Sequence, residues 1–516
     1  MNARARIALA AALLTGALAL PAGAQGASVP GVQHLHYRFG PLTITPGTNV
    51  NTVGPISEKP NVDGYITKFT PNLRRLDGTV PRVDVLHLHH GVWLNISQGP
   101  INTPFAGFRI QPFAAAGEEK TTLQLPMPYG YFNRGADRWL MNYMIHNLTP
   151  VPDKVYLTYD VDFVPADSAL GRRMKPVRPV WMDVQAGHAY PVFDVKKGAG
   201  RNNRFTYPDQ ARNPYPSGPR LNEWKVDSPG TLISTAGHVH PGGLFTDLEL
   251  VRPGATPARA RRGRAAPVRG SLAHSTRLFR SVAKYWDRRG PISWDMAMTA
   301  TPSNWRVRVR PGDTLRVSAT YDSRRAAWYE AMGIMIVYMS DDQSGVDPFV
   351  KALPLNGHVT HGHLAENNHH GGTGPPLVDA RTLPNAPPPP NDTVNIGDFR
   401  YRAGDLSLPG TARDPPTIRQ GQSLRFVNAD AGKTIWHSIT ACRAPCNLTT
   451  GISYPLADGS AGFDSGQLGF APSGALPQSN PAAGRSSWNT PATLTRGTYT
   501  YFCRVHPFMR GAFRVK

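Results

Sequence analysis

Short runs of alternating apolar and polar residues, interrupted every few positions by proline or glycine, occupy most of this chain. Examples are GYITKF (64–69), RVDVLHLHH (82–90), VYLTYDVDFV (155–164) and TLRVSATY (314–321). A period of two puts every second side chain on one face of a strand, and runs of this length between turn formers predict an all-β chain of successive β-sandwich domains. The stretch 323–331 alone predicts a short helix, and no repeat of solenoid length is present. From Val346 the composition shifts. Residues 356–374 are rich in His, Asn and Gly, and 384–390 include PPPP, which predicts a linker. Alternation resumes after Asn391 and continues to Lys516. A turn-rich, Arg-rich break between Pro165 and Pro179 predicts a second junction.

The N-terminus has the form of an export signal over residues 1–24. Arg4 and Arg6 supply the charge, residues 7–20 the apolar stretch, and Ala22-Gly-Ala24 the small-residue cleavage site. That stretch is short for a membrane span and no other run reaches one, so the reading is a secreted or periplasmic protein. The remainder divides into 25–166, 167–342, a His/Pro-rich linker over 343–392, and 393–516.

With 56 Lys and Arg against 35 Asp and Glu the net charge is +21, and 50 Gly and 50 Pro accompany it. Much of the excess is arginine between residues 252 and 289. Export and the lack of an accompanying nucleic-acid motif exclude DNA and RNA as partners. A basic tract on an exported protein is either a solvated loop or a contact with an anionic cell envelope.

Candidate chemistry is densest near the end, in Tyr501-Phe-Cys-Arg-Val-His-Pro-Phe-Met509. Cys503, His506 and Met509 supply a thiolate, an imidazole and a thioether after a strand-like run. Two imidazoles and a thiolate with a weak axial methionine form the blue, type 1 copper set. The second imidazole is expected from His437 in TIWHSITAC. The loop CRVHPFMRGAFRV resembles the ligand loop of amicyanin- and plastocyanin-type cupredoxins, and PTIRQGQSLRFVN resembles the strand before their first His ligand. Cys442 and Cys446 remain to form a disulfide just after His437, which export permits.

The first 340 residues hold weaker signals: the run HLHHG with His89 and His90, His146 inside WLMNYMIHNLT, the pair His238 and His240 in GHVHP, and Met332 in YEAMGIMIVYM. At strand spacing, residues 87 and 89 share a face and 90 points the other way, so His89 and His90 converge on one ion only if the backbone turns at Gly91. In order, a His-His pair, a strand His, an HxH pair and a strand Met resemble the ligand series of the copper type II, ascorbate-dependent monooxygenases, the peptidylglycine α-hydroxylating and dopamine β-monooxygenases. DGYITKFTPN before VDVLHLHHGVWL, HAYPVFDV before GHVHPGG, and Glu330 ahead of Met332 add to the likeness, which covers about residues 35–342.

The resemblance implies two β-sandwiches with one copper each, facing a solvent cleft. His89, His90 and His146 would hold the electron-storing copper. His238, His240 and Met332 would hold the oxygen-binding, catalytic one. With the blue centre this makes about three copper ions, one type 1 and two type 2-like, served by ascorbate or a redox partner, with dioxygen and a small-molecule or peptide-like substrate. Departures accompany it. No cysteine lies in these two domains, and the positions matching the family's substrate-carboxylate clamp are Ala236, Ile334 and Ile336, so an apolar or differently anchored substrate is expected. The linker run HVTHGHLAENNHH offers a further metal-binding pair, His361 and His363, or a flexible connector lying over a copper site. His34 and His36 share the HxH spacing, while His188 and His274 are read as structural. Two functions are carried forward: a copper-dependent monooxygenase-like oxidoreductase whose blue domain relays electrons, and a non-enzymatic protein that stores, senses or hands over copper.

Overall fold

A computed structural model describes residues 30–516 except 48–49, 84, 100–109, 185–191, 209–221, 255–273, 287–289, 292–293, 364–377, 434, 445, 447–456, 458–460, 470–472 and 475–484. The expected export signal, His188, and the linker residues His369 and His370 lie outside the described residues. Among these there are strands and single 3-10 turns and no α-helix. The helix expected over 323–331 is instead a bend followed by the strand Trp328–Ala331, which pairs with Phe193–Val195. So short a segment cannot nucleate a helix on its own, and Glu330 adopts a left-handed φ of 55° that no helix allows.

Residues 30–342 form two β-sandwiches that share their middle. A sixteen-stranded sheet runs from Gln33–Ile44 at one edge, through Asp153–Pro165, Gly64–Arg75 and Tyr129–Asn133, into the strand Lys175–Asp183, and on through Ile334–Ser340 and Gly230–His238. Lys175–Asp183 pairs in parallel with the first domain and antiparallel with the second. The expected break at 165–179 therefore ends in the strand that joins the domains. In Ile334–Ser340 every residue is buried. Ile334, Ile336 and Tyr338 belong to the first core, and Met335, Val337 and Met339 to the second. A strand with a core on each face reads as an uninterrupted apolar run, which is why IMIVYM lacks alternation.

The first domain's other sheet contains Val50–Ile56, Trp139–Asn147, Leu86–Asn95 and Gln111–Gly117. The last 124 or so residues form a separate two-sheet sandwich. One sheet holds Thr393–Gly397, Arg425–Asn428 and Ser487–Asn489, and the other His437–Cys442, Gly497–Phe502 and Arg510–Val515. This domain is docked on both others. Ser473–Gly474 pairs with Val50 and Asn51 of the first. On the second, Arg504 bonds the Ala327 carbonyl at 2.5 Å and Asp464 at 3.0 Å, with its guanidinium 4.7 Å from the Trp328 ring centre.

Candidate metal centres

At the end of the strand Gly497–Phe502 the chain turns so that Cys503 donates its amide to Met509 (3.1 Å) and Met509 donates to His506 (2.9 Å). This turn brings the thiol and the His506 ring under His437, the first residue of the neighbouring strand. Sγ of Cys503 lies 4.0 Å from Nδ1 of His437 and 3.8 Å from Nδ1 of His506, and the two nitrogens are 3.2 Å apart. Such separations match donors sharing one ion with bonds of about 2.0–2.3 Å. All three residues and Met509 are buried. Burial opposes ionisation of Cys503, but His437 and the amides of Ser438 and His506, each 3.3 Å from the sulfur, bring the thiol below its ordinary pKa. His437 is also buried, yet Asp430 at 3.2 Å from its Nε2, with the Cys503 sulfur, raises its pKa. Asp430 thus holds the ring with Nδ1 facing the Cys503 sulfur. The structure joins Cys442 and Cys446 in a disulfide.

The imidazoles of the first two domains meet in one place. The strand Leu86–Asn95 starts at the histidines instead of ending there, and its register slips between Leu88 and His90 against Trp139–Asn147. A β-bulge therefore brings His89 and His90 together, where a turn at Gly91 was expected. Their Nδ1 atoms are 3.3 Å apart. The His89 ring packs 4.3 Å from His146 and 4.2 Å from His240 of the second domain. His238 and His240, at and just past the end of Gly230–His238, have ring centres 5.0 Å apart. The two ligand sets expected to face a solvent cleft are thus packed against each other, every ring buried. Burial holds His89, His146 and His240 far below the ordinary imidazole pKa and lowers His87 to about 4 and His90 to about 3. Neutral imidazoles are the metal-binding form. Nε2 of His87, His238 and His240 lacks a hydrogen-bond partner among the described residues, so the cluster fits a metal.

Met332 is buried at the break between Trp328–Ala331 and Ile334–Ser340. The Tyr321 hydroxyl donates to the Met332 carbonyl (2.6 Å) and accepts from the amides of Met332 (3.1 Å) and His240 (3.0 Å), pinning the two segments together. A second thioether, Sδ of Met144, lies 3.3 Å from Nε2 of His146.

Sequence reasoning missed the carboxylates. Glu118 and Glu119 follow the strand Gln111–Gly117 and are fully buried. Oε2 of Glu119 accepts from Nδ1 of His238 at 2.9 Å, and Oε1 from the Gly117 amide at 3.1 Å. Burial disfavours its charge, but His238 outweighs that and holds its pKa below the ordinary value. At Gly117 a Cβ would lie 2.6 Å from Cε1 of His238, so only glycine admits the ring. The available signal was two adjacent acids closing the apolar run FAAAG in an acid-poor chain.

Of the linker pair, His361 has Nδ1 2.7 Å from the Gly362 carbonyl and Nε2 2.6 Å from that of Glu119. With both nitrogens against carbonyls it is not free to ligate, and it ties the linker over the imidazole cluster. His363 pairs with Asp295 at 2.9 Å. His34 and His36 sit on an exposed strand against Asp162 and Asp160, and His274 is exposed. In the basic tract, Arg252 pairs with Asp313 and Asp347, and Arg280 with Asp247, so these cations are neutralised within the fold.

Two cavities adjoin the cluster. A pocket of about 40 Å³ next to His238 has a mainly apolar wall that includes Ala115, Ala236, Ile334, Ile336 and Tyr338, with Glu119, Gln124 and four Ser and Thr residues also lining it. The positions where the resembled family has its clamp thus line a mainly apolar recess. A cavity of about 10 Å³ is lined by His146, Gly47 and Leu148 of the first domain and by His506, Trp436 and Val505 of the third, room for about one water.

No family model matches the chain, and no curated protein does. Among solved structures it is similar to the Cu-containing nitrite reductase NirK from Thermus scotoductus SA-01, with 13% identity and a TM-score of 0.15. The match covers 55% of each chain, so this chain spans little more than half the length of that protein. At that score the likeness does not bear on the role of any residue. No helix among the described residues is long and apolar enough to cross a membrane.

Proposed function

We propose that the chain is an exported copper-dependent oxidoreductase. In this reading the centre at His437, Cys503, His506 and Met509 passes single electrons to the buried imidazole cluster, where a C–H bond of a small, weakly polar substrate is hydroxylated by dioxygen. Dioxygen takes up two electrons and two protons, one oxygen atom entering the C–H bond and the other leaving as water. The observation that carries the reading is the shared cavity of His146 and His506. His506 has no exposed surface, and Gly47 of the first domain stands against its Nε2 edge. The way out of the blue centre therefore leads inward, to His146, instead of to solvent.

Bound copper supplies reversible one-electron chemistry and an affinity for dioxygen, for which imidazole, thiolate and thioether donors are suited. His89, His90 and His146 make the relay side, and His238, His240 and Met332 the oxygen side. Asp430 and Glu119 fix the rings of His437 and His238, and Tyr321 fixes the backbone of His240 and Met332. No cationic residue is among the described walls of the pocket beside His238, which favours a neutral substrate over a carboxylate. The linker keeps the donor domain at high effective concentration.

The test is oxygen uptake by the copper-loaded full chain with ascorbate, for the wild type and for Cys503→Ser. The variant is expected to lose the blue absorption, keep the cluster copper and take up oxygen far more slowly. Uptake at the wild-type rate would refute the relay. Burial of every cluster imidazole favours a second reading, copper storage or hand-over. Copper retained with no ascorbate-driven uptake in the wild type would select it.

A further inference from the structure

We infer that Glu118 is a metal ligand, and that with His89 of the first domain and His240 of the second it forms one site that the two domains complete together. The inference rests on the reading above only in taking the imidazole cluster to be a metal site, and it replaces the division of His89 and His240 between a relay side and an oxygen side by one ion that both hold. Ligand atoms of His89, Glu118 and His240 all lie within 4.8 Å of one another, and all three residues are buried. Oε1 of Glu118 is 3.9 Å from Nε2 of His89 and equally far from Nε2 of His87. Neither carboxylate oxygen has a hydrogen-bond partner among the described residues, and Nε2 of His240 has none either.

A fully buried carboxylate with empty lone pairs is unfavourable by several kcal/mol when ionised, unless a cation faces it. The neighbouring carboxylate is already engaged, since Glu119 is bonded to His238 and to the Gly117 amide. Two adjacent acids thus take different parts: Glu119 orients an imidazole, and Glu118 turns Oε1 toward His87 and His89 with neither of its oxygens hydrogen-bonded among the described residues. A divalent ion of borderline softness satisfies all these atoms at once. Two imidazoles with one carboxylate suit Cu(II), and equally Zn(II) or Fe(II). Because the donors come from the strand Leu86–Asn95 and the residue just after the strand Gln111–Gly117 on one side, and from the segment after Gly230–His238 on the other, the ion would also lock the domains together.

The experiment titrates the metal-free full chain with Cu(II), and separately with Zn(II), for the wild type, Glu118→Gln, His89→Ala, His240→Ala and the double histidine variant. In the copper titration the blue absorption at Cys503 is the internal standard, and in the zinc titration, where d10 Zn(II) gives no such band, the metal bound per chain is read by elemental analysis. Glu118→Gln is expected to keep the blue centre and to weaken one non-blue ion by more than the roughly 10–100-fold that loss of a supporting hydrogen bond causes, with an altered paramagnetic spectrum. Each single histidine variant should lose one non-blue ion, and the double variant the same single ion. Unchanged affinity and spectrum in Glu118→Gln, or losses that add to two ions in the double variant, would overturn the inference. Thermal unfolding of the metal-free Glu118→Gln protein separates loss of the ligand from loss of the fold: the variant should melt close to the wild type, since one unpartnered buried polar group replaces another of the same shape. Unchanged non-blue copper in Glu118→Gln together with slowed oxygen uptake in Cys503→Ser would refute this inference alone, whereas a weakened non-blue ion in Glu118→Gln together with wild-type uptake in Cys503→Ser would refute the relay alone.

Discussion

Replacing Glu119 by glutamine removes a charge while nearly preserving shape, and so isolates what orients His238. The carboxylate accepts from Nδ1 of His238 at 2.9 Å and from the Gly117 amide at 3.1 Å, with no solvent contact. Glutamine can accept through one oxygen only, and its amide NH2 would face one of these two donors. A hydrogen bond to a charged group contributes about 1.5–3 kcal/mol, which corresponds to roughly 10–100-fold in metal affinity, the range found for carboxylates behind ligating imidazoles. Part of the effect acts through the tautomer: with the carboxylate, Nδ1 carries the proton and Nε2 is left as the donor atom. Competition of the copper-loaded protein with a graded series of chelators, read by non-blue copper retained per chain, measures the change. The blue absorption should stay constant, because the ligands of that centre all lie between residues 437 and 509. Unchanged retention of non-blue copper, with an unaltered paramagnetic spectrum, would refute the orienting role.

At Gly47 a Cβ would come 2.6 Å from Nε2 of His506 and 2.7 Å from Phe399, and its φ of 60° disfavours any other residue. Gly47→Ala should therefore separate the first and third domains and slow oxidation of the reduced blue centre in stopped-flow absorption, with its spectrum retained; an unchanged rate would count against the route through His146. Tyr321→Phe leaves two buried amides without their acceptor, each worth about 1–3 kcal/mol, and should lower the midpoint of thermal unfolding and weaken non-blue copper; an unchanged midpoint would refute the pinning role. In the metal-free protein, burial keeps His87 at about 4, His90 at about 3 and three further imidazoles well below their ordinary value. The unfolded chain binds protons at these groups from about pH 6.5 downwards. Stability is thus full above that pH and declines as pH falls, by about 1.4 kcal/mol per unit for each imidazole still neutral in the folded state. Urea midpoints between about pH 7 and 4.5 measure it, and a flat profile would contradict the burial argument.

Period-two alternation with proline and glycine punctuation was enough to predict an all-β chain, because strand-forming runs need only local sequence to declare themselves. The grouping of His437, Cys503 and His506 was equally legible. Three of the candidate ligands, Cys503, His506 and Met509, fall within seven residues of one turn, so their spacing nearly fixes their geometry, and His437 opens the strand beside them. The run 323–331 misled because its helical pattern was too short to resist pairing with Phe193–Val195.

What only the tertiary structure decided is how the other ligands stand to one another. The order of His89, His90, His146, His238, His240 and Met332 suggests two sets, but contact between His89 and His240 depends on a sheet that runs unbroken from one domain into the next. The bulge between Leu88 and His90 shows no mark in the sequence, since register is set by the partner strand. The same holds for Glu118 and Glu119. Adjacent acids on a chain are ordinarily solvated, and here packing of the second domain over Gly117 removes the water and gives one carboxylate an imidazole while leaving the other without a hydrogen bond among the described residues. Ligand types are properties of residues and can be read one at a time; burial and convergence are properties of the packed domains and cannot.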